Sequence, residues 1–292
     1  MTWNFRKPPQ PVPGNGEDNP EPVFGRTDTG QSRPNNEDSF VILPLTAPWW
    51  RAEGLLHALR RAVGLPPRWS WAGRTIMMVA DGMGGHKAGE VASRTSVEAM
   101  VHLLSADKTL RQGAANREEI EHLLIRALRE TNDQIMRMAC ENEALSGMGS
   151  TFIVGFVQRN TLFTCHVGDV RAYLLTGQGL RQLTNDHSYL AEFKRTATSP
   201  NDQAPPPTMT RHVVSRAIGF PFPEPPDCTA THLTPNDRIL LCSDGLWSML
   251  PDPRLALILG ESASPEEACE RLIAEANQAG GKDNITAVVG FV

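Results

Sequence analysis

Two short apolar runs in this chain end in the same way. Ile76-Met77-Met78-Val79-Ala80 leads into Asp81-Gly82, and Ile239-Leu240-Leu241-Cys242-Ser243 leads into Asp244-Gly245. A continuous apolar run of that length suits a strand covered on both faces. The carboxylate then emerges at the sheet's rim, fixed by a rigid element yet open to a ligand. Glycine after it lets a ligand approach the backbone closely. A lone Asp-Gly is ordinarily a turn, but the pattern recurs. Glu37 and Asp38 stand before the strand-like run 38–43, Asp169 follows Phe163–Gly168, and Asp283 precedes Asn284-Ile285-Thr286. If these acids meet, they cannot all stay ionised unaided, because like charges raise one another's pKa. Divalent cations would resolve the conflict, and an all-oxygen ligand set selects Mg²⁺ or Mn²⁺ over zinc.

The rest of the chain bounds the fold. Its 292 residues, 40% hydrophobic and 21% charged, are enough for a sizeable core. Blocks of helix pattern and blocks of strand pattern, rather than βαβ alternation, point to an α+β architecture. One helical face carries Ala88, Val91, Ala92, Thr95, Ala99, Met100, Leu103 and Leu104. A second carries Ile120, Leu123, Leu124, Ala127, Leu128, Ile135 and Met138. Strands are expected over 150–157, 161–167, 171–175, 228–233, 238–242 and 284–292, and the strand from Asp38 should stop at Pro44. Ser264, Pro265 and Glu267 predict a capped helix start, with Ala268, Leu272, Ile273 and Ala276 on its buried face.

Residues 1–22, rich in Pro, Gly, Asn and Glu, read as a disordered tail, and 23–292 as one globular domain. Within it, 45–74 carries Trp49, Trp50, Trp69 and Trp71. This Trp-rich insertion reads as a surface segment packed on the core, or as a partner platform. Residues 196–210 read as an exposed loop.

Several classes are disfavoured. A net charge of -5 argues against a generally basic nucleic-acid binder. There is no apolar run long enough for a membrane-spanning helix, and 1–10 lacks the apolar core of a secretory signal. Five cysteines, scattered and without Cys-x-x-Cys, suggest a reducing, cytoplasmic setting rather than a disulfide framework or thiolate zinc site. Glu90 and Val91 stand where a Walker A loop needs Lys and Ser/Thr, and no nucleophile elbow or His-Glu-x-x-His occurs. His86, His166, His187 and His212 show no ligand spacing.

Taken in order, Arg33-Pro34-Asn35-Asn36-Glu37-Asp38, Asp81–Gly85, Gly149-Ser150-Thr151, Val167–Arg171, Leu183–Ser188, Ser215–Gly219, Cys242–Trp247 and Lys282–Thr286 resemble the metal-dependent serine/threonine phosphatases of the protein phosphatase 2C (PPM) family. Met83 after Asp-Gly is similar to the bacterial branch. The resemblance spans 23–292. It implies a four-layer αββα sandwich, with two antiparallel sheets between helices and two, or three, Mn²⁺ or Mg²⁺ ions in a cleft at one end. It implies that Asp81 bridges two ions, that the Gly82 carbonyl binds one, and that Asp244 and Asp283 ligate the first. Glu37 and Asp38 would serve the second side through water, Asp169 a third ion, and Arg33 the substrate phosphate. A bridging water would attack phosphorus, with no phosphoenzyme. Substrates would be phosphoproteins made by a Ser/Thr kinase, and 191–210 would be a flap beside the cleft. Where many eukaryotic relatives have a proton-donating His, Met83 has none to give, so water is expected to replace it. The competing expectation is a catalytically silent relative that binds metal or a partner.

Overall fold

Antiparallel pairing sorts the strands into two five-stranded sheets. The protein is known here as a computed structural model, which describes residues 22–45, 74–84, 88–112, 115–196, 213–221 and 224–292. The strands are β1 (Val23–Asp28), β2 (Asp38–Leu45), β3 (Arg74–Met83), β4 (Gly149–Gln158), β5 (Thr161–Val167), β6 (Arg171–Thr176), β7 (Gly179–Gln182), β8 (Asp227–His232), β9 (Arg238–Cys242) and β10 (Ile285–Phe291). One sheet has the order β1-β10-β9-β6-β7 and the other β2-β3-β4-β5-β8. The helices are α1 (Ala88–Ala106), α2 (Lys108–Gln112), α3 (Arg117–Glu141), α4 (Tyr189–Thr196), α5 (Asp244–Trp247), α6 (Asp252–Glu261) and α7 (Pro265–Gln278).

The continuous apolar runs follow from the layering. Along β3, Ile76, Met78 and Ala80 pack with Met100 of α1 and Leu124 and Leu128 of α3, while Met77 and Val79 pack with Leu241 and Val288 of the other sheet. In β9, Leu240 and Cys242 face α6 and α7, and Ile239 and Leu241 face the opposing sheet. Both faces are covered, so period-two alternation disappears from the sequence while persisting in space. Each such fully buried side chain contributes about 1.5–3 kcal/mol. The result is the expected α+β sandwich of helix, sheet, sheet and helix.

Local differences have physical reasons. β2 continues through Pro44 to Leu45, because β2 lies at a sheet edge, where a missing N–H costs no ladder bond. Ser264 caps α7 by accepting from the Glu267 N–H at 3.1 Å, but the Glu267 carboxylate reaches the Ala263 N–H rather than that of the cap residue. A complete reciprocal box instead opens α3, between Asn116 and Glu119.

The cysteines require a correction. Cys165 and Cys228 are register partners in the β5–β8 ladder and form a disulfide, with Cα atoms 4.1 Å apart. Their separation of 63 residues hides the pairing from spacing rules. Cys140, Cys242 and Cys269 are free. No helix among the described residues is long and apolar enough to cross a membrane. Residues 1–21 of the tail, the four insertion tryptophans, His86, His212 and the flap beyond α4 lie outside the described residues.

Candidate metal centre and active site

Acids from both sheets meet at one end of the sandwich. Asp38 opens β2 and is the register partner of Asp81 on β3. Beyond that pair the Gly82 N–H donates to the Glu37 carbonyl at 3.1 Å. On the other sheet, β9 ends at Cys242 and turns through Ser243 into α5, which begins with Asp244. Asp283 precedes the neighbouring strand β10. Ser243 and Thr286 donate to Asp38 Oδ2 at 2.7 and 2.6 Å, which ties the two strand ends together across the sheets.

Glycines allow the close fit. A Cβ at Gly82 would collide with the Gly89 carbonyl oxygen and lie 2.7 Å from the Glu37 carbonyl oxygen. At Gly168 the backbone has φ +97°, and a Cβ would lie 2.5 Å from Thr151 Cβ. That turn presents Asp169, and it is held from two sides. The His187 backbone N–H donates to the Gly168 carbonyl at 2.9 Å, and its ring Nδ1 accepts the Gly168 N–H at 3.2 Å. Trp247 Nε1 donates to the Asp169 carbonyl at 2.9 Å, with the Arg171 guanidinium stacked 3.7 Å over its ring. Arg171 in turn grips Asp186 with both ends of its fork, at 2.8 and 2.6 Å.

The electrostatics are those of crowded carboxylates. Burial, then the charges of Asp38, Asp244, Asp169 and Asp283, push Asp81 well above the usual carboxylate range. Asp38 rises to about 7, through burial and the nearby Asp244 and Asp283, against the two hydroxyls that donate to it. Asp169 also rises to about 7, from burial first and Asp244 and Asp186 next. Glu37 is raised by burial while Arg33 opposes the shift. Arg33 Nη2 pairs with Asp283 Oδ2 at 2.7 Å, about half exposed at the mouth of the site.

Among the described residues no three acids already clasp one point. The donor set still fits hard divalent cations. It is all oxygen, and Asp38 Oδ1 is buried without a hydrogen-bond partner. The residues that would hold the ions are Asp81, the Gly82 carbonyl, Asp244 and Asp283, with Glu37, Asp38 and Asp169 around them.

A family model for protein phosphatase 2C matches residues 73–285. The chain belongs to the protein phosphatase 2C family. It is 38% identical over 214 residues to a serine/threonine phosphatase, stp, of Listeria welshimeri, covering 73% of this chain and 83% of that one. The fold is similar to that of the Streptococcus agalactiae serine/threonine phosphatase, with TM-score 0.75, 26% identity, and coverage of 92% and 98% of the two chains. It is also similar to the catalytic domain of the phosphatase PstP in complex with 2 manganese ions, with TM-score 0.68, 29% identity, and coverage of 91% and 96%. This chain is thus a protein serine/threonine phosphatase of the bacterial type. The match to the phosphatase 2C family takes in Asp81, Gly82, Asp169, Asp244 and Asp283, while Arg33, Glu37 and Asp38 precede it.

Charge-based reading of the sequence does not find the neutral residues that build this phosphatase site. Asn284 is the clearest case. Its Oδ1 accepts the Glu37 N–H at 2.8 Å, and its Nδ2 donates to the Thr29 and Asn35 carbonyls, each at 2.9 Å. It therefore fastens the segment bearing Arg33, Glu37 and Asp38 to the head of β10. Its position beside Asp283 is the one signal the sequence offers. His166 and His187 are buried and stacked on each other, with centroids 4.7 Å apart. Neither is a solvated histidine.

Proposed function

We propose that this phosphatase hydrolyses phosphoserine and phosphothreonine in proteins at a binuclear Mn²⁺ or Mg²⁺ centre built on Asp81, Gly82, Asp244 and Asp283. The observation that carries this reading is the meeting of acids from both sheets: Asp38 is the register partner of Asp81, and its Oδ2 accepts from Ser243 and Thr286, the neighbours in sequence of Asp244 and of the Asp283 segment. The manganese-bound relative supports the choice of ion. Bound ions would supply Lewis acidity, acidifying a water for attack on phosphorus and offsetting phosphoryl charge.

The chain's own residues do the rest. The Gly82 carbonyl would hold one ion, its place fixed by the close packing of the Gly82 backbone against Gly89 and Glu37. Arg33 stands at the mouth with a planar fork that matches two phosphate oxygens. In the absence of substrate, that fork rests on Asp283. Met83 has no proton to give, so the leaving serine or threonine oxygen takes its proton from water. Asp169 sits on a turn anchored by His187 and Trp247, at a place suited to a third, weaker ion. The physiological substrates would be products of a Ser/Thr kinase, and the Trp-rich insertion would recruit a partner.

The deciding experiment measures phosphate release from a phosphothreonine peptide with Mn²⁺, with EDTA, and with Asp81→Asn. Turnover that needs Mn²⁺ and falls by about 10³-fold or more in the variant supports the reading. Metal-independent turnover, or none at all, would overturn it, the latter in favour of a silent metal- or partner-binding relative.

A further inference from the structure

The Asp38 carboxylate is held in one orientation by a chain of hydroxyls whose proton directions are fixed by their neighbours. The chain starts at Asn36. Its Oδ1 accepts the Asp38 N–H at 3.0 Å, so its amide nitrogen faces the other way and donates to Thr27 Oγ1 at 2.8 Å. Thr27 and Thr286 hydroxyls lie 2.7 Å apart. Having accepted from Asn36, Thr27 passes its proton to Thr286, which gives its own to Asp38 Oδ2 at 2.6 Å. Ser243 Oγ accepts the Thr286 N–H at 3.0 Å and is 2.7 Å from Asp38 Oδ2, against 3.4 Å to the Asn284 carbonyl. Two protons therefore converge on one carboxylate oxygen. The other, Oδ1, is buried and receives none.

We infer that Asn36, Thr27, Thr286 and Ser243 are positioning residues for the metal centre, engaging one oxygen of Asp38 so that Oδ1 is kept for the cation or its water. The inference rests on the binuclear reading above. Such outer partners orient a ligating carboxylate, and their loss typically weakens metal binding by about 10- to 100-fold. The arrangement also joins the sheets, since Thr27 and Thr286 belong to β1 and β10 while Asp38 belongs to β2.

The test compares Thr286→Val, which keeps the shape and loses the donor, with Thr286→Ser, which keeps the donor. The readouts are Mn²⁺ affinity by calorimetry and the Mn²⁺ concentration for half-maximal turnover. Thr286→Val should bind Mn²⁺ about 10-fold more weakly, with an unchanged KM for phosphopeptide at saturating Mn²⁺, and Thr286→Ser should restore the affinity. Wild-type affinity in Thr286→Val overturns the inference, as does an equal loss in Thr286→Ser, which would mark a packing role. Should Thr286→Val not fold, Thr27→Val interrupts the chain one link away from the carboxylate. It should weaken Mn²⁺ binding, and unchanged affinity there also overturns the inference. If the wild-type protein itself binds no Mn²⁺, the binuclear reading fails; if it binds and the variants bind equally, only the positioning role does.

Discussion

Asp38 and Asp81 are register partners at the open end of the β2–β3 ladder, a buried carboxylate beside a half-buried one on adjacent strands. Their proximity makes the metal-free protein a strained electrostatic object, and several measurable properties follow.

The first is an inverted pH dependence of stability. In the folded, metal-free protein Asp38 titrates at about 7 because of burial, while in the unfolded chain it returns to about 4. Between those values the folded state holds more protons, so stability falls as pH rises. Asp38→Asn removes this term, and its amide oxygen can still accept from Ser243 and Thr286. The metal-free variant should gain on the order of 3 kcal/mol over wild type as pH rises from about 4 to above 7. Urea titrations in EDTA check this. Parallel stability curves would contradict it.

Arg33 separates substrate binding from ion binding. Its guanidinium rests on Asp283, so Arg33→Ala frees that carboxylate while removing the phosphate fork. kcat/KM for a phosphopeptide should fall about 100-fold with Mn²⁺ affinity undiminished. A matching loss of Mn²⁺ affinity would instead make Arg33 part of the ion site.

Gly82 is a packing prediction. A methyl group there meets backbone carbonyls of Gly89 and Glu37, not flexible side-chain ends. Gly82→Ala should cost about 1–3 kcal/mol and weaken Mn²⁺ binding, because β3, α1 and the Glu37 segment must separate. Thermal unfolding and Mn²⁺ titration test the two parts. A fully stable variant with intact binding would show that the contact yields easily.

The disulfide gives a fourth test. Cys165–Cys228 closes a loop of 63 residues, and removing such a link typically costs about 2–4 kcal/mol. The double Cys→Ala variant and the reduced wild type should both show a lowered denaturant midpoint. Identical midpoints with and without reductant, together with free thiols at both positions, would rule the bond out.

Much of this architecture can be read from the chain because strong signals coincide. Ile76–Ala80 and Ile239–Cys242 are apolar throughout, and each leads within two residues into an acid followed by glycine. That reading puts Asp244 just past β9 as found, whereas β3 runs two residues beyond Asp81 to Met83, so Asp81 lies within the strand between Asp38 and Thr151. It fails where meaning depends on what lies opposite. Ser243, Thr286 and Asn284 are neutral, and their roles arise only when β2 meets β9 and β10 across the sandwich. Cys165 and Cys228 look unrelated until the β5–β8 register aligns them. β1, with Gly25 and Arg26 inside six residues, carries too weak a pattern to stand out, and Pro44 reads as a stop because edge position is invisible in one dimension.

β10 sits between β1 and β9, so the first described strand has no sheet neighbour until Ile285–Phe291 exists. Thr286 and Asp283 arrive with the same segment. A nascent chain that stops ahead of residue 283 would therefore hold most of the helical layer against β2–β5 and still lack Asp283 and Thr286, so neither the β1 edge nor the ion site could close before β10 exists.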